Sequence, residues 1–426
     1  MTLTGVIRTM PRGLHHRLAR PFAGRALQPA ILALVAGLLV AHRGIDLAQA
    51  GLRAHGSTLL PSAAPASVVS ADLLLYAVAN LLAFLLYLAL AVACLDPRVD
   101  GRLRRIVLGA GLLAHLLALT SLPTLSIDAK SYFAHGAIGL VSPGASQYDA
   151  LTWGVLSSRF GSELVALGWA PPPMPTPYGP LWSAIENAVA WASPSVLAAV
   201  YVFKVIALAS ALGSAWLAWS ILGRIRPAFR LAGTVLLLWN PVVLVELSAE
   251  GHNDGLMTFF VLLAIELALR GWARRTAVAA TLGVLVKWLP AVFAPPIAVH
   301  LWRTRAEDER EGRLAIAVDA LAFAIGLTVL AIVPFWSGPV FLEGLGRSGA
   351  AGPYASVAGA MYRTLSALLP GVDAGLLTNL SLGGLFVAFV IAQSRRVRDG
   401  RSLLEATAWI SVAYLLLARG INYPWY

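Results

Sequence analysis

The chain has 426 residues, 58% of them hydrophobic and only 12% charged, and its mean hydropathy is +0.74. Soluble domains carry about 25% charged residues, so this composition excludes a soluble globule and indicates a polytopic membrane protein. The net charge of +11 is almost all arginine, set in short clusters between apolar runs. That is the pattern of cytoplasmic loops under the positive-inside rule, not of a nucleic-acid surface.

In chain order, Arg8, Arg12, Arg17, Arg20 and Arg25 precede the first apolar run. No cleavage site follows it, so an uncleaved first span is expected. Apolar runs long enough to approach the roughly 20 residues of a span lie at 28–48, 71–95, 105–125, 195–222, 231–249, 255–270, 276–302, 314–335, 376–393 and 403–418. Cys94 falls inside one of them and reads as a small core residue; a lone cysteine excludes an intrachain disulfide. Arginine clusters at 98–105, 223–230, 270–275, 303–313 and 394–401 are assigned to the cytoplasm, which leaves 126–194 as the large external loop. Two segments must then not cross. The stretch 179–193 is read as an outer amphipathic or re-entrant helix. The stretch 276–302 holds Pro290, Pro295 and Pro296 and is read as two half-helices that enter and return. The expected fold is all-α: a single transmembrane domain over 1–426, a bundle of about 10–12 transmembrane or re-entrant helices with external loop helices. The chain stops on an aromatic turn that would ordinarily lead into another helix, so its C-terminus is expected to be incomplete.

Polar residues gather between these runs. SIDAKSYFAHG at 126–136 carries Asp128, Lys130, Tyr132 and His135. Asp128 is open to two readings, a helix cap or a general base beside apolar material, and the cap is the commoner role. PPPMPTPYGPLW at 171–182 turns into the next helix through Tyr178, Gly179 and Pro180. Tyr178 and Trp182 suit a sugar-stacking surface or an interfacial aromatic belt. NPVVLVELSAEGHNDGLM at 240–257 combines Glu246, Glu250, His252, Asn253 and Asp254. Ionisable groups at a helix centre cost roughly 2.5–3.5 kcal/mol each on insertion scales. Capping explains one or two of these residues but not the whole run, so a functional site is the better reading. Its spacing matches no metal-ligand template; a divalent ion is possible but not indicated. Lys287, just before the proline break, either snorkels to the interface or meets a phosphate. Lys204 lies deep in its run and is expected to be paired structurally. Arg419, beside the terminal aromatics, either snorkels or binds phosphate in a bidentate fashion. There is no nucleotide-binding loop or dinucleotide fingerprint, so a donor arriving from the membrane fits better than one from the cytosol.

The order SIDAKSYFAHG, QYD at 147–149, PTPYGPLW, WNPVVLVELSAEGHNDGLM, VKWLP and INYPWY resembles polytopic GT-C glycosyltransferases. The polyprenyl-phosphate-mannose-dependent α-mannosyltransferases of bacterial cell envelopes are the nearest likeness, over roughly 120–426. The resemblance implies a polyprenyl-phosphate sugar donor, a glycan or glycolipid acceptor, and metal-independent or weakly metal-linked transfer with no other cofactor. It also implies residence in the bacterial inner membrane, with the active site on the external, periplasmic face. It makes Asp128 the expected base and places His252, Asn253 and Asp254 in the same cavity. Lys130, Tyr132, Tyr178, Lys287 and Arg419 complete the expected substrate-binding set. A lipid-linked sugar transporter or flippase and a non-catalytic envelope scaffold are the alternatives. The first predicts matched broken helices in two halves; the sequence shows one clear break.

Overall fold

The computed structural model describes residues 27–54, 66–148, 153–169, 175–304, 310–339, 341 and 357–417. All regular structure among them is helical. In chain order, α1 is Leu27–Ala54, α2 Ala66–Ala93, α3 Gly101–Leu119, α4 Asp128–Gly136, α5 Pro180–Ala192, α6 Val196–Ile225 and α7 Arg230–Leu238. A π-helical segment, Leu244–Ala249, follows. Then come α8 Asp254–Leu269, α9 Ala273–Val286, α10 Ala294–Arg303, α11 Arg310–Ile332, α12 Val357–Leu368, α13 Ala374–Arg396 and α14 Gly400–Leu417.

Among the described residues five segments are long and apolar enough to cross a membrane, 27–51, 71–93, 196–225, 314–335 and 374–396, and the bent pair 227–238 with 241–249 would make a sixth. The other apolar runs fold as helices that are shorter or carry more charge. This is an all-α, polytopic integral membrane protein. The external loop of the sequence reading is itself largely helical: α4 and α5 are joined by short turns at 138–141, 153–156 and 161–166.

One departure from the expected spans and one expected break have local causes. The run 231–249 is not one rod. Asn240 caps a new turn, its Oδ1 accepting from Val242 N at 3.0 Å, with Pro241 in the first position. Proline tolerates that position because its missing N–H would be unbonded there, and the axis bends by 45°. The break expected in 276–302 is present: α9 ends at Val286, Lys287 is extended (φ −150°, ψ 145°), and a 3₁₀ turn over Leu289–Phe293 precedes α10.

The chain divides into two compact units, 1–126 with 211–251, and 127–210 with 252–426. In the first, α1 packs along α2, and α3 and α7 complete a core of Leu38, Ile45, Ala83, Leu90, Val107, Val235 and Trp239. Cys94 is buried in it. Trp239 Nε1 donates to Val107 O at 3.0 Å. His115 bridges Ser248 Oγ (2.7 Å) and Leu238 O (3.0 Å), tying α3 to the π segment and α7. In the second unit the core is aromatic: Tyr132, Phe133, Trp169, Tyr178, Trp182 and Phe203. Lys204 is fully buried, its ammonium 5.2 Å from the Tyr201 ring.

Candidate active site

The polar run at 246–254 splits at Gly251, whose φ of +83° suits a residue without a side chain. Upstream, in the first unit, the buried Glu250 carboxylate accepts from three successive backbone N–H groups: Thr124 (3.0 Å), Leu125 (3.2 Å) and Ser126 (3.0 Å). Downstream, in the second unit, His252, Asn253 and Asp254 begin α8. Glu250 thus belongs to a backbone clamp, and the functional run shortens to its last three residues.

Those three meet α4. The cap position of α4 is Ile127, so Asp128 lies one residue inside the helix. Its Oδ2 accepts from Tyr178 O–H at 3.3 Å and Tyr132 O–H at 3.5 Å, and it lies 3.2 Å from His252 Nδ1 as an ion pair. Tyr132 O also accepts from Asn253 N at 3.3 Å. Burial opposes ionisation of Asp128, but His252, then Lys287 and the Tyr178 hydroxyl, outweigh it and hold the carboxyl at about 2. The same burial, with Asp128 close by, raises both tyrosines well above their ordinary value, so they are hydrogen-bond donors and not bases. The Asp128 side chain is 23% exposed while His252 is fully buried: the acid, not the imidazole, faces outward.

Tyr178 is delivered by a tight backbone contact. Gly179 N donates to Val286 O at 3.0 Å, and a side chain at Gly179 would stand 2.2 Å from Leu285 O. Glycine alone fits there. This contact also sets the end of α9, so Lys287 Nζ lies 5.8 Å from the Tyr178 ring and bonds both Asp254 oxygens at 2.8 and 2.9 Å. Lys287 and Asp254, assigned separately from sequence, are therefore one ion pair. Asn253 is 1% exposed, and neither side-chain amide atom has a hydrogen-bond partner among the described residues.

Lys130 stands apart. Two residues beyond Asp128 it points roughly 200° around the helix, and its ammonium donates to Leu167 O at 3.3 Å. Arg419 and Asp149 lie outside the described residues. No cluster of three His, Cys, Asp or Glu among the described residues is placed to hold a metal ion.

A second acid was missed. Glu186 on α5 is fully buried, 3.7 Å from His135 Nδ1 and 3.4 Å from Gln147 Nε2. Burial, only partly offset by His135 and Trp182, raises its carboxyl to about 7. Tyr148 beside it bonds Ser183 Oγ (2.9 Å) and Tyr178 O (3.0 Å). Asp128, Tyr132 and His135 stand at i, i+4 and i+7 on one face of α4, so the helix that presents Asp128 to His252 also presents His135 to Glu186.

Membrane-spanning helices and a helical loop region define the class as a polytopic all-α membrane protein, and the family match makes it a GT-C mannosyltransferase-like one. The α-(1→6)-mannopyranosyltransferase family model, N-terminal domain, matches residues 30–304. The chain belongs to this family of mannosyltransferases. No curated protein and no solved structure gives a significant match.

Proposed function

We propose that the protein transfers mannose from a polyprenyl-phosphate donor to a glycan or glycolipid acceptor at the external face of the bacterial inner membrane. The observation that carries this reading is the Asp128 carboxylate: ionised, partly exposed and held through one oxygen by two tyrosine hydroxyls beside the His252 imidazole. Asp128 takes the proton from an acceptor hydroxyl. The hydroxyl oxygen attacks the anomeric carbon from the face opposite the phosphate. The carbon–oxygen bond to phosphate breaks, its electron pair goes to the phosphate, and polyprenyl phosphate leaves. The family's α-(1→6) linkage is the linkage we propose here; an inverting displacement that gives an α product requires a β-linked donor.

Lys287, with Arg419 and His252, would neutralise charge growing on the phosphate, which fixed cations in a partly dry site do well. The start of α8 also favours an anion. Asn253, buried with its amide unbonded, and Asp254 would hold sugar hydroxyls. The α5 helix supports an outer, non-crossing placement. Its 13 residues span about 20 Å, short of a ~30 Å hydrocarbon core.

A second assignment of the base follows from the 3.2 Å contact: His252 takes the proton and Asp128 orients it, as in carboxylate–imidazole pairs. The greater exposure of Asp128 favours the first. Membranes incubated with labelled polyprenyl-phosphate mannose, glucose and arabinose test the overall reading. Mannosylated glycan is expected. Translocation of the donor without transfer would make the protein a flippase.

A further inference from the structure

The first unit holds a half-open groove of about 490 Å³ between α1, α3 and the π segment. No residue of the Asp128 cluster lines it. Leu39, Ala118 and Leu244 are among its apolar lining residues, and His42, Arg43 and Asp46 of α1 are its ionisable ones. Apolar walls with a few placed polar groups, in a volume of this order, characterise ligand sites.

The polar lining shows which ligand. His42 is 9% exposed, and its Nε2 has no hydrogen-bond partner among the described residues. A buried ring nitrogen left unbonded is costly, so a ligand atom at this position relieves it. Next to it, Arg43 is 68% exposed and lies 3.5 Å from Asp46, which also accepts from Ser121 Oγ at 3.2 Å. Asp46 therefore keeps a donor when the Arg43 guanidinium turns to an anion. Arg43 lies 16 residues beyond the start of α1, roughly 24 Å along the helix, close to one edge of the ~30 Å hydrocarbon core.

We propose that this groove binds a membrane phospholipid, its phosphate at His42 and Arg43 and an acyl chain along the Leu39–Ala118–Leu244 wall. The groove follows α1 from Leu39 to Asp46, about 10 Å, which holds a stretch of one acyl chain. This site is independent of the donor assignment above.

The full chain in nanodiscs of phosphatidylethanolamine and phosphatidylglycerol, with a trace of phosphatidylglycerol carrying a diazirine on its acyl chain, tests it. Photolysis is expected to label peptides covering 39–46 and 114–120. Ala118→Trp, which fills the wall, should lower that labelling about tenfold. His42→Phe keeps the ring but removes its nitrogens; it should abolish the preference for this probe over a diazirine diacylglycerol. That ratio decides the matter if Ala118→Trp does not fold. Labelling spread evenly over the exposed leucines of α2 would overturn the proposal. So would unchanged labelling in both variants, or displacement of the probe by polyprenyl phosphate.

Discussion

Glu250 and Asp128 are carboxylates from the two most polar stretches of the chain, and their surroundings differ in kind. Glu250 is fully buried and satisfied by three backbone N–H groups. Asp128 is partly exposed and meets side chains, an imidazole and two phenols. Backbone donors cannot change protonation state or leave; they make a carboxylate a fixed strut. Side-chain donors around an exposed oxygen make it a group that can exchange partners with a substrate. Residue type alone does not separate the two, because both are acids beside apolar helices.

Substitutions sharpen this contrast. The largest effect on stability is expected where a charge is left alone. Lys287→Met strands the Asp254 carboxylate, 7% exposed, and breaking a buried pair this way costs about 3–5 kcal/mol. Denaturant unfolding should show that loss, and adding Asp254→Asn should recover most of it. Equal instability in the double variant would mean that the pair is not the cause.

Glu186 comes next. Its folded carboxyl titrates at about 7 against an ordinary 4.5. The fold therefore binds a proton that the unfolded chain has released. This contribution is complete below the ordinary value and is lost as pH rises through about 7; its size is on the order of 3 kcal/mol. Melting curves across that interval should fall with pH in the wild type and flatten in Glu186→Gln. A slope that survives the substitution assigns the titration to another group.

The smallest effect is expected at Tyr178→Phe, which removes one of the two tyrosine hydroxyl donors to Asp128 and leaves the aromatic core intact. A hydrogen bond to a charged group contributes about 1.5–3 kcal/mol. A fall of about tenfold or more in transfer rate, with little change in melting temperature, is expected.

The span pattern was legible because hydrophobic length is a property of the chain itself. The bend at 240 was legible in principle, since Asn-Pro is a cap followed by a first-turn proline, but a run of valine and leucine around it hides the restart. The π segment carries no local signal. At the site, Asp128, Tyr132, Tyr178, His252, Asn253, Asp254 and Lys287 were visible as residue types too polar for their surroundings. Their pairing was not, because Lys287 reaches Asp254 through a contact fixed by Gly179 in a third segment. Glu250 joined the functional run in the sequence because its backbone partners are distant in the chain. Glu186 escaped because one acid in an amphipathic helix resembles a solvated face until the helix is seen buried. Lys130 was selected by proximity in sequence, which on a helix says nothing of direction two residues on.

The most direct measurement is the rate of mannosyl transfer per folded molecule for Asp128→Asn and Glu250→Gln in one membrane preparation, with folded protein quantified by thermal unfolding. Removing a general base is expected to cost about 10²–10⁴-fold. That loss is expected for Asp128→Asn at near-normal stability. Glu250→Gln is expected to be less stable, with the molecules that remain folded transferring at close to the normal rate. Full transfer by Asp128→Asn would contradict the base assignment.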